Sequence, residues 1–138
     1  MILRNCAGGI VFFGDKVFLL KNEKDEWVFP KGVMRNGDLA AEIAQKRVLD
    51  EGGIIAYILS IAGDTSYEFF SVTRQRPICN KITWFIMSTD SDKYSISEKE
   101  KFQDGGFFEI EEAMKLITYS QDKALLNLSY KKYKEISQ

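Results

Sequence analysis

One helical segment set into an otherwise β-rich stretch constrains this chain most. Between residues 38 and 51 the apolar side chains of Ala40, Ile43, Ala44 and Val48 recur at helical spacing. Gly37 breaks the chain ahead of them and Gly52-Gly53 follows. Asp38 offers a capping side chain and the glycine pair a C-terminal stop, so the pattern predicts a helix over 38–51. On either side of it the texture is β-rich. Residues 7–13 and 16–21 are β-rich runs separated by Gly14-Asp15, a two-residue gap that reads as a hairpin. Trp27 to Phe29 is a short run stopped by Pro30; 54–61, 66–72, 82–87 and 107–110 read as further strands. A short helix is expected over 111–117 and a longer one over 120–136, with Ser120 as its cap and Leu125, Leu126, Tyr130 and Tyr133 at helical spacing. This order predicts a mixed α+β fold, an α/β/α sandwich.

Composition narrows the function classes. The 138 residues are 45% hydrophobic and 28% charged, which suits one folded domain over 1–138. The chain has 0 histidines, which excludes a Ser-His-Asp triad, a Cys-His pair and imidazole metal ligands. Its 2 cysteines, Cys6 and Cys79, cannot build a four-cysteine zinc site. With 19 basic and 20 acidic residues the net charge is −1, which argues against bulk electrostatic binding to nucleic acid. No apolar run reaches the ~18 residues of a membrane span. The apolar N-terminal stretch ends at Gly14-Asp15-Lys16 without a small-residue cleavage site and reads as a strand, so a cytoplasmic, reduced setting is expected.

The stretch from Gly32 to Ile54, GVMRNGDLAAEIAQKRVLDEGGI, carries the chemistry. A glycine-bearing loop follows Trp27-Val28-Phe29-Pro30-Lys31 and feeds the helix, whose last turn holds Asp50 and Glu51. Adjacent acids at a helix C-terminus face an unfavourable dipole, and something cationic should offset them. Lys46 and Arg47, three to four residues earlier, reach them along one helical face. Two readings stay open on spacing alone: a solvated, salt-bridged helix end, or oxygen ligands for a divalent cation.

This segment resembles the Nudix box, G-x5-E-x7-R-E-U-x-E-E-x-G-U. Gly32 takes the first glycine, Asp38 the first glutamate, Lys46 the arginine and Arg47 the next glutamate; Val48, Asp50, Glu51, Gly53 and Ile54 complete the pattern. Spacing is intact, while two acids become Asp, Arg becomes Lys and one Glu becomes Arg. The likeness extends to Ala7-Gly8-Gly9-Ile10-Val11, to the entry Trp27-Val28-Phe29-Pro30-Lys31-Gly32, and to Gly106-Phe107-Phe108 with Glu111-Glu112-Ala113.

The resemblance implies a Nudix-like mixed sheet with the box helix on one face and a C-terminal helix. It implies a Mg²⁺- or Mn²⁺-dependent pyrophosphohydrolase that cleaves a phosphoanhydride in a nucleoside diphosphate linked to another moiety. The alternative is a catalytically weak or inactive nucleotide-binding or regulatory domain, because Arg47 changes the charge of its trio with Asp50 and Glu51 from −3 to −1 and ligand charge governs affinity for a hard cation. Carried over residue by residue, Glu51, Asp50 and Arg47 take the catalytic positions. Asp50, Glu51, Gly32 and an acid from a later loop, Glu100, take the metal. Lys31, Arg35, Arg74 and Arg76 form a phosphate rim, with Trp27 and Phe29 also on the substrate side. Glu98 and Glu68 are further acid candidates, and Tyr67, Phe69 and Trp84 further aromatic ones. The tail with Tyr130 and Tyr133 is expected either to pack on the sheet or to make a homodimer contact.

Overall fold

The computed structural model describes residues 1–137. Seven strands make one mixed sheet: β1 (Ile2–Phe13), β2 (Lys16–Lys21), β3 (Trp27–Val28), β4 (Lys31–Val33), β5 (Tyr57–Ser71), β6 (Arg76–Ser88) and β7 (Asp104–Glu109). Helices α1 (Ala40–Gly52), α2 (Ile110–Leu116) and α3 (Ser120–Ile136) cover it. The spatial order is β3-β2-β1-β6-β5, with β4 on β1 and β7 on β2. The long β1 organises the sheet. It runs parallel to β6 from the Ile2↔Ile78 pair to Phe12↔Ser88, and its other edge serves β4 first and β2 afterwards.

The period of two sorts side chains between two cores. Ile10, Phe12, Val17, Leu19, Ile82, Trp84 and Ile86 point to the side covered by α2 and α3, where Ala113, Ile117, Leu125 and Leu126 meet them. Ala7, Val11, Phe18, Leu20, Phe85 and Met87 point to the other side, against Ala44 and Val48 of α1. The α/β/α sandwich is therefore present. Tyr133 stacks on Phe12 with ring centroids 4.4 Å apart, so the aromatic tail packs on the sheet. Cys6 and Cys79 are free thiols. No helix among the described residues is long and apolar enough to cross a membrane.

Several local expectations change. Residues 54–61 and 66–72 are not two strands: β5 is continuous through Gly63, with register irregularities between Ile58 and Ser60 and between Ile61 and Gly63. Gly63, between the two expected runs, takes a positive φ of 146° inside a bulged strand. Gly32 and Val33, expected in the glycine-bearing loop, belong with Lys31 to β4. Asp38 does not cap α1; its carboxylate accepts the Arg35 N–H at 2.8 Å and closes the preceding loop, leaving Leu39 at the N-cap. Ser120 likewise lies inside α3, with Tyr119 at the N-cap. Gly53 does end α1, at φ 64°, donating its N–H to the Leu49 carbonyl.

Candidate functional site

The box helix places its charged residues one turn apart. At i, i+4 spacing two ion pairs form and divide the acids. Lys46 Nζ lies 2.7 Å from Asp50 Oδ2 on the outer face. Arg47 donates to Glu51 Oε2 through Nε at 2.9 Å and Nη2 at 2.5 Å. Asp50 and Glu51 therefore turn to different cations. Arg47 Nη2 also donates to Glu100 Oε2 at 2.9 Å, across 53 positions of sequence. The guanidinium thus ties α1 to a 3₁₀ turn, Glu98–Glu100.

Two features fix this clamp. Ser95 and Ser97 donate backbone N–H groups to the Gly52 and Glu51 carbonyls at 2.8 and 3.1 Å, meeting otherwise orphaned acceptors at the helix end and docking the loop there. Gly32 leaves room for the arginine stem, since a Cβ on it would lie 2.5 Å from Arg47 Cδ. Burial pushes the Glu51 carboxyl up to about 7, with Arg47 and Lys31 pulling against that rise. Burial works against the Arg47 charge too, but Glu51 and Glu100 outweigh it and raise its pKa.

Beside the clamp opens a cavity of about 550 Å³. Glu51, Glu100 and Lys31 stand at one part of its wall, and Phe29, Tyr67, Phe69 and Trp84 give it an aromatic lining. Trp84 is fixed by donating Nε1–H to Thr65 Oγ1 at 2.8 Å and by an edge contact with Phe29. Lys31 Nζ sits 5.9 Å from the centre of the Tyr67 ring. Tyr67 itself accepts from Asn80 at 2.7 Å. Another part of the wall holds Asp122, only 9% exposed, whose carboxylate has no hydrogen-bond or ion-pair partner among the described residues. Burial raises its pKa, against the pull of Lys31. Nearby Glu26 is held below its ordinary value: burial favours the neutral acid, but hydrogen bonds from Tyr119 and Asn22 prevail.

Of the residues expected from sequence, Lys31, Phe29, Glu51 and Glu100 line this cavity, as do Glu68, Tyr67, Phe69 and Trp84. Trp27, Arg35, Asp50, Arg74 and Arg76 do not, and Arg47 stands behind the Glu51 and Glu100 carboxylates rather than on the wall. Arg74 and Arg76 lie at the exposed turn joining β5 to β6. Gly32 packs on the arginine stem. Asp122, Asn22, Glu26 and Tyr119 were not expected. An acid in the first turn of a helix reads as a dipole partner, and nothing local distinguishes Asp122 from one.

The donor set is a poor fit for a divalent cation. A hard ion takes six or more oxygens with converging carboxylates, yet one acid here is turned to Lys46 and two share a guanidinium. No group of three or more His, Cys, Asp or Glu side chains among the described residues converges as a metal site would require.

Several solved structures share the architecture. A NUDIX hydrolase from Nitrosomonas europaea superposes with a TM-score of 0.71 at 16% identity, covering 91% of this chain and 69% of that one. The E. coli dihydroneopterin triphosphate pyrophosphohydrolase gives 0.73 at 15%, covering 91% and 95%. A C. elegans Ap4A hydrolase gives 0.69 at 18%, covering 94% and 96%. At such identities the likeness speaks for fold. The family itself follows from the sequence match to the NUDIX domain over residues 3–128: this chain belongs to the NUDIX domain family.

Proposed function

We propose that the chain binds a nucleoside diphosphate linked to another moiety in this cavity, as a Nudix-fold nucleotide-binding domain whose hydrolytic turnover is weak or lost. The observation that carries this reading is Arg47 Nη2 between Glu51 and Glu100, at 2.5 and 2.9 Å. It engages two of the three acids proposed for metal, while Lys46 engages the third. The aromatic lining supplies faces for a nucleobase. Lys31, a compact point charge, suits a phosphate oxygen. Asp122, buried without a donor, suits the amino or imino edge of a base. The names of structural neighbours favour such ligands: an Ap4A hydrolase, an ADP-ribose pyrophosphatase from Streptococcus suis and a dihydroneopterin triphosphate pyrophosphohydrolase.

A specific observation favours the second reading, a Mg²⁺- or Mn²⁺-dependent pyrophosphohydrolase. The cavity wall carries six carboxylates (Glu23, Glu26, Glu51, Glu68, Glu100, Asp122) against three lysines (Lys24, Lys31, Lys101). An anionic ligand entering such a wall gains from cations brought with it. Glu51, with a carboxyl near 7, also has a proton affinity suited to accepting a proton at neutral pH.

One experiment separates the two. The protein is titrated with ADP-ribose, diadenosine polyphosphates and nucleoside triphosphates by calorimetry, in chelator and in Mg²⁺ or Mn²⁺, and the same mixtures are assayed for released phosphate or monophosphate. Saturable binding in chelator without turnover is the expected result. Turnover that needs metal and vanishes in Asp50→Asn or Glu51→Gln establishes the hydrolase instead.

A further inference from the structure

We infer that Arg4, Asn80 and Tyr67 build an anion subsite beside Lys31, at the rim of the cavity, which takes a phosphate beyond the diphosphate of the ligand. The inference rests on the nucleotide reading of the cavity and names the ligand class: chains of three or more phosphates rather than nucleotide sugars. The three residues form one row across the sheet, since Arg4 pairs with Asn80 on β6 and Asn80 with Tyr67 on β5. Directly paired residues share a sheet face, and Tyr67 brings this row to the cavity wall. The direction of the hydrogen bonds along the row is fixed, because an arginine can only donate. Arg4 Nε–H goes to Asn80 Oδ1 at 2.9 Å, so the Asn80 amide turns its NH₂ the other way and donates to the Tyr67 oxygen at 2.7 Å. Asn80 is buried and held at both ends. The Tyr67 oxygen is thereby the acceptor for Asn80, and its own O–H has no acceptor among the described residues. What the row offers outward is donors alone: the Tyr67 hydroxyl and the Nη groups of Arg4.

Charge points the same way. Neither Arg4 nor Lys31 is ion-paired among the described residues. The Arg4 guanidinium lies 5.6 Å from the centre of the Phe69 ring, and Lys31 Nζ lies 5.9 Å from that of Tyr67. The two rings stack with centroids 5.9 Å apart, so both cations stand over one aromatic pair. Both also act on the buried Cys6 thiol: burial raises its pKa, and Arg4 and Lys31 pull against that rise. Unpaired cations around an oriented hydroxyl suit a group of high negative charge, and the Nη fork of an arginine matches the oxygens of a phosphate. The sugar of a nucleotide sugar carries no charge to meet them.

The test measures binding by calorimetry in chelator, with inorganic pyrophosphate and tripolyphosphate as probes and ADP-ribose and diadenosine tetraphosphate beside them. The proteins are wild type, Arg4→Gln, Tyr67→Phe and, as a control for bulk charge, Lys115→Gln on the exposed side of α2, with folding followed by circular dichroism. Wild type is expected to bind tripolyphosphate at least about tenfold tighter than pyrophosphate. Arg4→Gln and Tyr67→Phe, which keeps the ring, should each weaken tripolyphosphate and diadenosine tetraphosphate about tenfold, the loss of a hydrogen bond to a charged group. Pyrophosphate and ADP-ribose should change little. Equal losses on short and long chains, no loss in a folded variant, the same loss in Lys115→Gln, or no binding of tripolyphosphate to wild type overturns the inference. If neither variant folds, the wild type decides: equal affinity for the two inorganic probes overturns the inference, and the tenfold preference supports it. Failure of the nucleotide reading looks different, with both nucleotides unbound while tripolyphosphate binds and responds to Arg4→Gln; the subsite then stands for a phosphate chain without a nucleoside.

Discussion

Arg47 and Glu51 face each other one turn apart on α1, with Nη2 2.5 Å and Nε 2.9 Å from the same carboxylate oxygen. The pair is little exposed, with the Glu51 side chain 4% and the Arg47 side chain 24% accessible. Breaking such a pair leaves a buried charge unmatched, which costs far more than the intact pair contributes. Arg47→Met is expected to lower unfolding free energy by about 3 kcal/mol at pH 8. The cost shrinks at pH 6, where Glu51 takes a proton. Arg47→Met with Glu51→Leu recovers most of the loss. Urea unfolding of the three proteins at both pH values checks this, and an unrecovered double variant contradicts it.

Asp122 makes the pH dependence of stability legible. Burial raises its pKa above the ordinary 3.8, so the native state holds the proton after the unfolded chain has released it. Its contribution to stability is therefore whole at low pH and is lost as pH rises through the raised value. Glu51, ordinarily 4.5 and here about 7, acts in the same sense between those two values. Thermal melts from pH 4 to pH 8 should show Asp122→Asn with a shallower decline than wild type. An unchanged slope means the carboxylate finds a partner in solution.

Gly53 ends α1 at φ 64°, and a Cβ there would lie 3.1 Å from Ser95. Gly53→Ala should cost about 1–2 kcal/mol from the left-handed backbone. The docked 95–97 strand of loop should loosen with it. Hydrogen exchange at the Ser95 and Ser97 amides reads this directly, with faster exchange expected at both.

Lys31 reaches the cavity wall from β4 and lies above the Tyr67 ring. Lys31→Met removes the charge and keeps the stem. Nucleotide binding in the assay above should weaken about tenfold, equivalent to about 1.4 kcal/mol, while the melting temperature changes little. Equal affinity in the variant would place the phosphates elsewhere.

Much of the architecture is written in local patterns. The alternation of Ile10, Phe12, Val17 and Leu19 against Val11, Phe18 and Leu20 sorts two cores without knowledge of the partner strands, because a pleated strand must present alternate residues to opposite faces. The bounds of α3, 120–136, match the helical spacing of its apolar residues. Local signals also misled. The gap between the runs 54–61 and 66–72 is bridged by the ladder to β6, which carries β5 through it with a bulge, and Asp38 found a nearer donor in Arg35 than the helix end.

The candidate site divides the same way. That Lys46 and Arg47 reach Asp50 and Glu51 follows from helical geometry, since four residues make about one turn and side chains so spaced are neighbours wherever the helix lies. What tertiary structure alone decided is which carboxylate is buried, that Glu100 arrives from 53 positions away to share the guanidinium, and that Asp122 and Lys31 come to border one cavity. Burial and long-range juxtaposition depend on how strands from distant parts of the chain pair, and no short window of residues contains that information.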